Sequence, residues 1–191
     1  MAIDPSRFHA HSVADTCAVW NILSARALYA ASRAANCTFC VTRFVQYECL
    51  YKGRTQITKA ENELQRRLRR EQQNGSFQPY HLDVADLQDV ELLARRHNLS
   101  KGELSSIAFA KKTRQAFLTD DQKARTLAAR FLNQGMVQTT PHLFGWLIFT
   151  GRLSDGDKDL IVEEHTEHGR PLAQYFNEAY EEALRCRLMA R

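Results

Sequence analysis

The chain has 191 residues, the span of one domain on the usual scale of roughly 100–200 residues, so separate cofactor and substrate lobes are not expected. Hydrophobic residues make up 44% and charged residues 25%, with four prolines and eight glycines, which excludes a disordered or collagen-like chain. The net charge of +4 is uneven: residues 151–191 hold six Lys/Arg against nine Asp/Glu, so the first 150 residues carry the basic surplus.

The first residues, MAIDPSRFHAHSVAD, carry acids, histidines and a proline where a signal peptide needs an apolar run, so a cytoplasmic location is expected. Ala10–Asp15 and Cys37–Thr42 read as short buried strands with an Ala- and Leu-rich helix over Val19–Ala35 between them. A helix over Arg43–Leu50 follows, then a polar, basic helix over Thr58–Gln73 ended by Asn74-Gly75. Its narrow apolar stripe of Ile57, Leu64 and Leu68 predicts a surface position. Phe77–Asp83 contains Pro79 and reads as an edge strand. Val84, Leu87, Val90, Leu93 and Ala94 recur at helical spacing. Ser100 with Glu103 forms a capping-box pattern ahead of Leu104, Ile107 and Ala110. QAFLTDD reads as a fourth strand, Gln122–Asn133 as a helix closed by Gly135, and MVQTT as a fifth strand. Strands alternating with helices predict a parallel sheet covered on both faces, an α/β fold.

From Leu143 onward two or three helices are expected, with a turn at Ser154-Asp155-Gly156 and a break at Gly169-Arg170-Pro171. The apolar run Leu143–Phe149 is far short of the roughly 20 residues that span a bilayer, so no membrane association is expected. The chain is read as a single domain, residues 1–191, with a core over about 12–150 and a helical extension over about 151–191.

Several chemistries are disfavoured by the residues themselves. Five cysteines form an odd set that reads as reduced thiols, and the lone C-x2-C pair Cys37/Cys40 lacks the second ligand pair of a structural zinc site. His9/His11 and His165/His168 read as surface histidines. A phosphotransfer aspartate at Asp15 would usually have a second Asp two positions on, where Cys17 stands, and no glycine-rich phosphate loop exists. Phe8, Phe39, Phe44, Phe109, Phe117 and Trp146 read as core. Tyr47 and Tyr51, one helical turn apart beside Glu48, also read as core, with stacking on a base as the alternative.

The first strand ends at Asp15 and the fourth at Asp120-Asp121, while Glu103 opens the helix feeding the fourth strand and Glu48 lies in the helix after the second. Ligands of open parallel sheets bind outside the carboxyl ends of the strands where strand order reverses, so these acids can face one crevice. Gathered carboxylates repel unless a cation lies between them. A hard divalent ion, Mg2+ or Mn2+, takes oxygen ligands, keeps several waters and suits phosphodiester hydrolysis. Between Lys52 and Arg70 there are seven bases against two acids. This run, with Lys52, Arg54, Arg66, Arg67, Arg69 and Arg70, is either a solvated helix face or a nucleic-acid contact.

ADTCAVWNIL around Asp15, FVQYECL around Glu48, LSKGELSSIAFAKK around Glu103 and FLTDDQKAR around Asp120 and Asp121, in that order, resemble the PIN-domain nuclease family. The likeness is to its branch with a Gly-Glu third acid and a Thr-Asp-Asp fourth element, and with the tail PHLFGWLIFTGRLS it extends over roughly Ser12–Leu184. The resemblance implies a three-layer α/β/α fold with strand order 3-2-1-4-5. It implies a Mg2+- or Mn2+-dependent endoribonuclease, often the toxin of a toxin–antitoxin pair, with RNA as substrate and a cognate antitoxin as partner; a homodimer is a further candidate assembly, which the resemblance does not decide. Asp15, Glu48, Glu103 and Asp121 carry over as the acidic quartet, with Asp120 as the alternative fourth acid. Asp15, Glu103 and Asp121 are the implied metal ligands, and Thr16 and Thr119 orient a carboxylate or a water. The sequence departs from the family in having Glu as third acid where many members have Asp, and in the length of its basic helix. The alternative reading is a catalytically inactive PIN-like module that binds RNA or protein.

Overall fold

A computed structural model describes residues 4–53, 56–83, 85, 86, 88 and 99–190. Five strands, β1 (His11–Ala14), β2 (Thr38–Thr42), β3 (Gln78–Tyr80), β4 (Ala116–Leu118) and β5 (Val137–Gln138), form one sheet in the order β3-β2-β1-β4-β5. Every neighbouring pair is parallel. The α/β class and the strand order therefore match the expectation, and Pro79 does lie on an edge strand, where its missing N–H costs no ladder bond. The order reverses between β1 and β4. Their register sets Ala14 beside Leu118, so the next residues, Asp15 and Thr119, leave the sheet side by side.

The helices among the described residues are α1 (Thr16–Ser24), α2 (Arg26–Ala34), α3 (Arg43–Leu50), α4 (Lys59–Gln73), α5 (Lys101–Thr113), α6 (Gln122–Ala128), α7 (Thr140–Phe149), α8 (Asp155–Glu167) and α9 (Ala173–Met189). Alternate strand residues supply two cores. Ala14, Phe39, Val41 and Leu118 pack with α1–α4 and α7–α9, while Val13 and Phe117 pack with Leu104, Ile107, Ala124 and Leu127 of α5 and α6. The expected helix over 84–98 lies largely outside the described residues.

The helix read as continuous over Val19–Ala35 is two, because Ala25 adopts an extended conformation (φ −106°, ψ 113°). The ends this exposes are taken up from elsewhere in the fold. The buried Arg67 guanidinium donates to the carbonyls of Leu23 (2.8 Å) and Ser24 (3.2 Å), and the Glu164 carboxylate accepts from the Arg26 N–H (2.9 Å). Orphaned helix-end groups need such partners. The α6 helix stops at Ala128 rather than Asn133, where tighter bonds from the N–H groups of Arg130 and Phe131 to Leu127 and Ala128 take over. At the other end, α7 starts before Leu143, capped by Thr139 and with Pro141 in its first turn. Instead of lying in a turn, Asp155 and Gly156 open α8 behind the Ser154–Asp157 capping box.

Three expectations about burial are corrected. His165 is fully buried, its ring 4.7 Å edge-on to Phe176 and its Nδ1–H given to the Ile161 carbonyl, and burial lowers its pKa. Tyr47 and Tyr51 are 54% and 63% exposed rather than core. Ile57 is exposed and precedes α4 instead of joining its apolar stripe, whose inner face is Leu64, Gln65, Arg67 and Leu68. The cysteines are free thiols, with Cys37 buried and Cys40 half-buried.

Candidate active site

Asp15 is the N-cap of α1 and lies fully buried at the carboxyl end of β1. Its Oδ1 accepts from the Ala18 N–H (2.8 Å) and the Cys17 thiol (3.0 Å), and its Oδ2 from the Thr119 hydroxyl. Burial pushes its pKa up to about 7, and the charge of Asp120 pushes the same way, against the three hydrogen bonds. Burial and the neighbouring Asp15 and Asp120 charges likewise raise the Cys17 thiol, which stays a protonated donor. Thr119 hands the network onward, because its oxygen accepts from the Asp121 N–H (3.1 Å).

Glu48 projects from α3 toward the start of α5. Its Oε2 accepts from the Thr16 hydroxyl (2.6 Å) and its Oε1 from the Gly102 N–H (3.1 Å). This contact explains the glycine of the Gly-Glu motif. A Cβ at Gly102 would lie 2.8 Å from the Glu48 carboxyl carbon and 3.0 Å from Oε1, and closer still to Oε2. Only a residue without a side chain lets that carboxylate rest on the helix end.

Glu103, the next residue, closes a capping box by accepting from the Ser100 N–H (2.7 Å). Its pKa is raised, first by burial and then by the charges of Asp121 and Glu48. Asp121 caps α6 through the Ala124 N–H (2.8 Å). Asp120 has a different task. One oxygen accepts from the Thr140 N–H (2.8 Å) and the other from the Thr140 hydroxyl (2.6 Å) and the Asn21 amide (2.7 Å). Asp120 therefore ties α1 and the start of α7 to the end of β4.

The structure thus brings Asp15, Glu48, Glu103, Asp120 and Asp121 to the same edge of the sheet, with Thr16 and Thr119 bonded to the carboxylates. Among the described residues, no Lys or Arg forms an ion pair with Asp15, Glu103, Asp120 or Asp121. As the side chains stand, no three His, Cys, Asp or Glu among the described residues are close enough to share one ion. Mg2+ does not need such a cage, since it keeps waters and typically takes one or two carboxylates plus substrate phosphates. The all-oxygen donors and the like-charge repulsion at Glu103 fit a hard divalent cation.

The basic residues divide. Arg67 is 8% exposed and serves α1, so it is withdrawn from the RNA-contacting set. The carbonyls it holds end α1, whereas Asp15 begins that helix, about 13 Å away for nine residues. Arg66 and Arg70 are exposed and paired with Glu63 (3.1 Å) and Glu71 (3.3 Å), while Arg69 and Lys52 are exposed. Arg54 lies outside the described residues. Sequence reasoning missed Gly102, Asn21, Cys17 and Thr140 as parts of the network. The Gly-Glu pair itself was the signal that could have found Gly102. The other three are joined to the site through contacts between different elements.

The fold and these side chains define an α/β protein with acidic residues gathered at the carboxyl ends of its strands, where the strand order reverses. Comparison with family models, with curated proteins and with solved structures finds no match to this chain. Among the described residues, no helix is long and apolar enough to cross a membrane.

Proposed function

We propose that the chain is a PIN-like, Mg2+- or Mn2+-dependent endoribonuclease. The observation that carries this reading is the convergence of Asp15, Glu48, Glu103 and Asp121 at the β1/β4 switch point, with no cation paired to Asp15, Glu103 or Asp121 among the described residues. Glu103 and Asp121, half-buried and mutually repelling, would hold the ion, together with the buried Asp15. When bound, it supplies Lewis acidity toward a scissile phosphate and activates water. Thr16 and the Gly102 N–H hold Glu48 in place against the start of α5. Thr119 couples Asp15 to the Asp121 backbone, so the two acids keep a fixed relation. Lys52 and the exposed arginines Arg66, Arg69 and Arg70 of α4 supply grip on phosphates without base choice. The toxin role and a cognate antitoxin rest on the family resemblance of the four acidic motifs.

One observation favours the second reading, a catalytically silent module: Asp15 is saturated by protein donors and Glu103 caps its own helix. Turnover separates the two. The purified protein should cut single-stranded RNA with Mn2+ and fall silent in EDTA. Asp121→Asn should abolish cutting with the fold intact, whereas Asp120→Asn should lower the melting temperature by loosening α7. Undiminished cutting by Asp121→Asn would assign the activity to another site or a contaminant.

A further inference from the structure

The helix that carries Glu48 has an outer face the acidic site does not use. Val45, Gln46, Cys49 and Leu50 turn α3 inward. Arg43, Tyr47 and Tyr51 are exposed and follow one another at intervals of four residues, which stacks them along one line of the helix surface. Tyr51 ends the helix, its N–H bonded to the Tyr47 carbonyl (2.9 Å), and the exposed Lys52 comes next. Tyr51 is also three residues from Glu48, so this line runs beside the acidic site.

Two tyrosines left more than half exposed contrast with the buried Phe39, Phe77, Phe117, Phe144 and Phe176. Their rings are free surfaces with π-faces. The charges on this line itself are positive, with Glu48 on its flank: Arg43 donates to His81 Nε2 (3.2 Å) and Gln46 Oε1 (2.7 Å), not to an acid. No acidic partner of Arg43 or Lys52 is found among the described residues. Aromatic platforms flanked by cations suit a single polynucleotide strand, whose unpaired bases can stack while its phosphates meet the cations. A duplex keeps its bases stacked inside and cannot use such rings.

We propose that Arg43, Tyr47, Tyr51 and Lys52 form a base-stacking track for single-stranded RNA that leads the strand to Glu48. The inference rests on the ribonuclease reading and adds to it the residues that engage the bases of the single-stranded substrate. Because stacking accepts any base, the track confers preference for unpaired RNA rather than for a sequence.

The test uses the full chain in EDTA with a fluorescent, uncleavable 2′-O-methyl oligouridine, followed by anisotropy across salt concentrations. Tyr47→Ala and Tyr51→Ala should each weaken binding roughly tenfold, since each removes the platform for one base. Tyr→Phe at either position should restore it. The salt slope should stay unchanged in the tyrosine variants, and should flatten by about 0.7 for each phosphate that Arg43→Gln or Lys52→Gln no longer neutralises. A 2-aminopurine reporter in the oligonucleotide should be quenched by the wild type and not by the double alanine variant. Melting temperatures of the tyrosine variants should match the wild type, because both rings are exposed. Wild-type affinity in the double alanine variant would overturn the track and assign this face to a protein partner. If Asp121→Asn still abolishes cutting in that case, the ribonuclease reading stands without the track. A wild type that binds no RNA in EDTA overturns the track, and absence of Mn2+-dependent cutting overturns the ribonuclease reading.

Discussion

Replacing Gly102 by alanine should impair catalysis far more than folding. The added methyl would lie 2.8 Å from the Glu48 carboxyl carbon, whereas non-bonded carbons rest at about 3.5–4.0 Å. The carboxylate must therefore withdraw by roughly 1 Å, because it is the end of a flexible side chain and the Gly102 backbone is fixed in α5. That retreat stretches the 3.1 Å bond from the Gly102 N–H beyond hydrogen-bond range and disturbs the 2.6 Å bond from Thr16. A hydrogen bond to a charged acceptor is worth about 1.5–3 kcal/mol, and its loss is partly offset by up to about 1 kcal/mol from alanine's helix propensity and by water reaching the half-buried carboxylate. Net destabilisation of about 1 kcal/mol corresponds to a fall of roughly 2–4 °C in melting temperature for a chain of this size. A displacement of about 1 Å in a catalytic group can lower turnover roughly a hundredfold. Calorimetry and Mn2+-dependent cleavage of single-stranded RNA read the two effects separately. Adding Glu48→Asp shortens the side chain and should restore stability without restoring turnover. Full activity in Gly102→Ala, with Glu48 unmoved in its crystal structure, would refute the account of the Gly-Glu pair.

Asp15 gives a pH signature. Its carboxyl is raised from an unfolded value of 3.8 to about 7, so the metal-free fold should lose stability as pH climbs from about 4 to about 7, by at most about 4 kcal/mol. Asp15→Asn should then melt higher than the wild type at pH 8 in EDTA, lose that advantage at pH 4, and respond little to Mn2+; a pH-independent difference would remove the charge argument. The basic helix should split by burial: Arg67→Gln should lower stability by about 2 kcal/mol, since the carbonyls of Leu23 and Ser24 lose a charged donor. Joint replacement of Arg66, Arg69 and Arg70 by Gln should leave melting unchanged and flatten the salt dependence of RNA binding. An unchanged slope would make these three a solvated face.

The alternation of strands and helices was legible in the chain because each short apolar run is bounded by polar residues, and run length together with period separates strand from helix. The Ser100–Glu103 capping box is local, since donor and acceptor lie three residues apart. Asp15, Glu103, Asp120 and Asp121 were legible for the same reason, as they fall at the ends of predicted strands or the start of a helix, whereas Glu48 lies within a helix. What the sequence could not disclose depends on contacts between distant elements. Nothing near Ala25 breaks a helix. The break is sustained by Arg67 and Glu164, from α4 and α8, through bonds to its exposed ends. Asp120 and Asp121 are chemically alike and adjacent, and only the docking of α1 and α7 makes Asp120 a tether while Asp121 caps α6 beside Glu103. His165 is buried because α8 meets Phe176 of α9, and Tyr47 and Tyr51 are exposed because Val45 and Cys49 turn that helix inward. Periodicity marks that a helix has an apolar face, but burial is a property of what packs against it, and that is decided only when the whole chain is assembled.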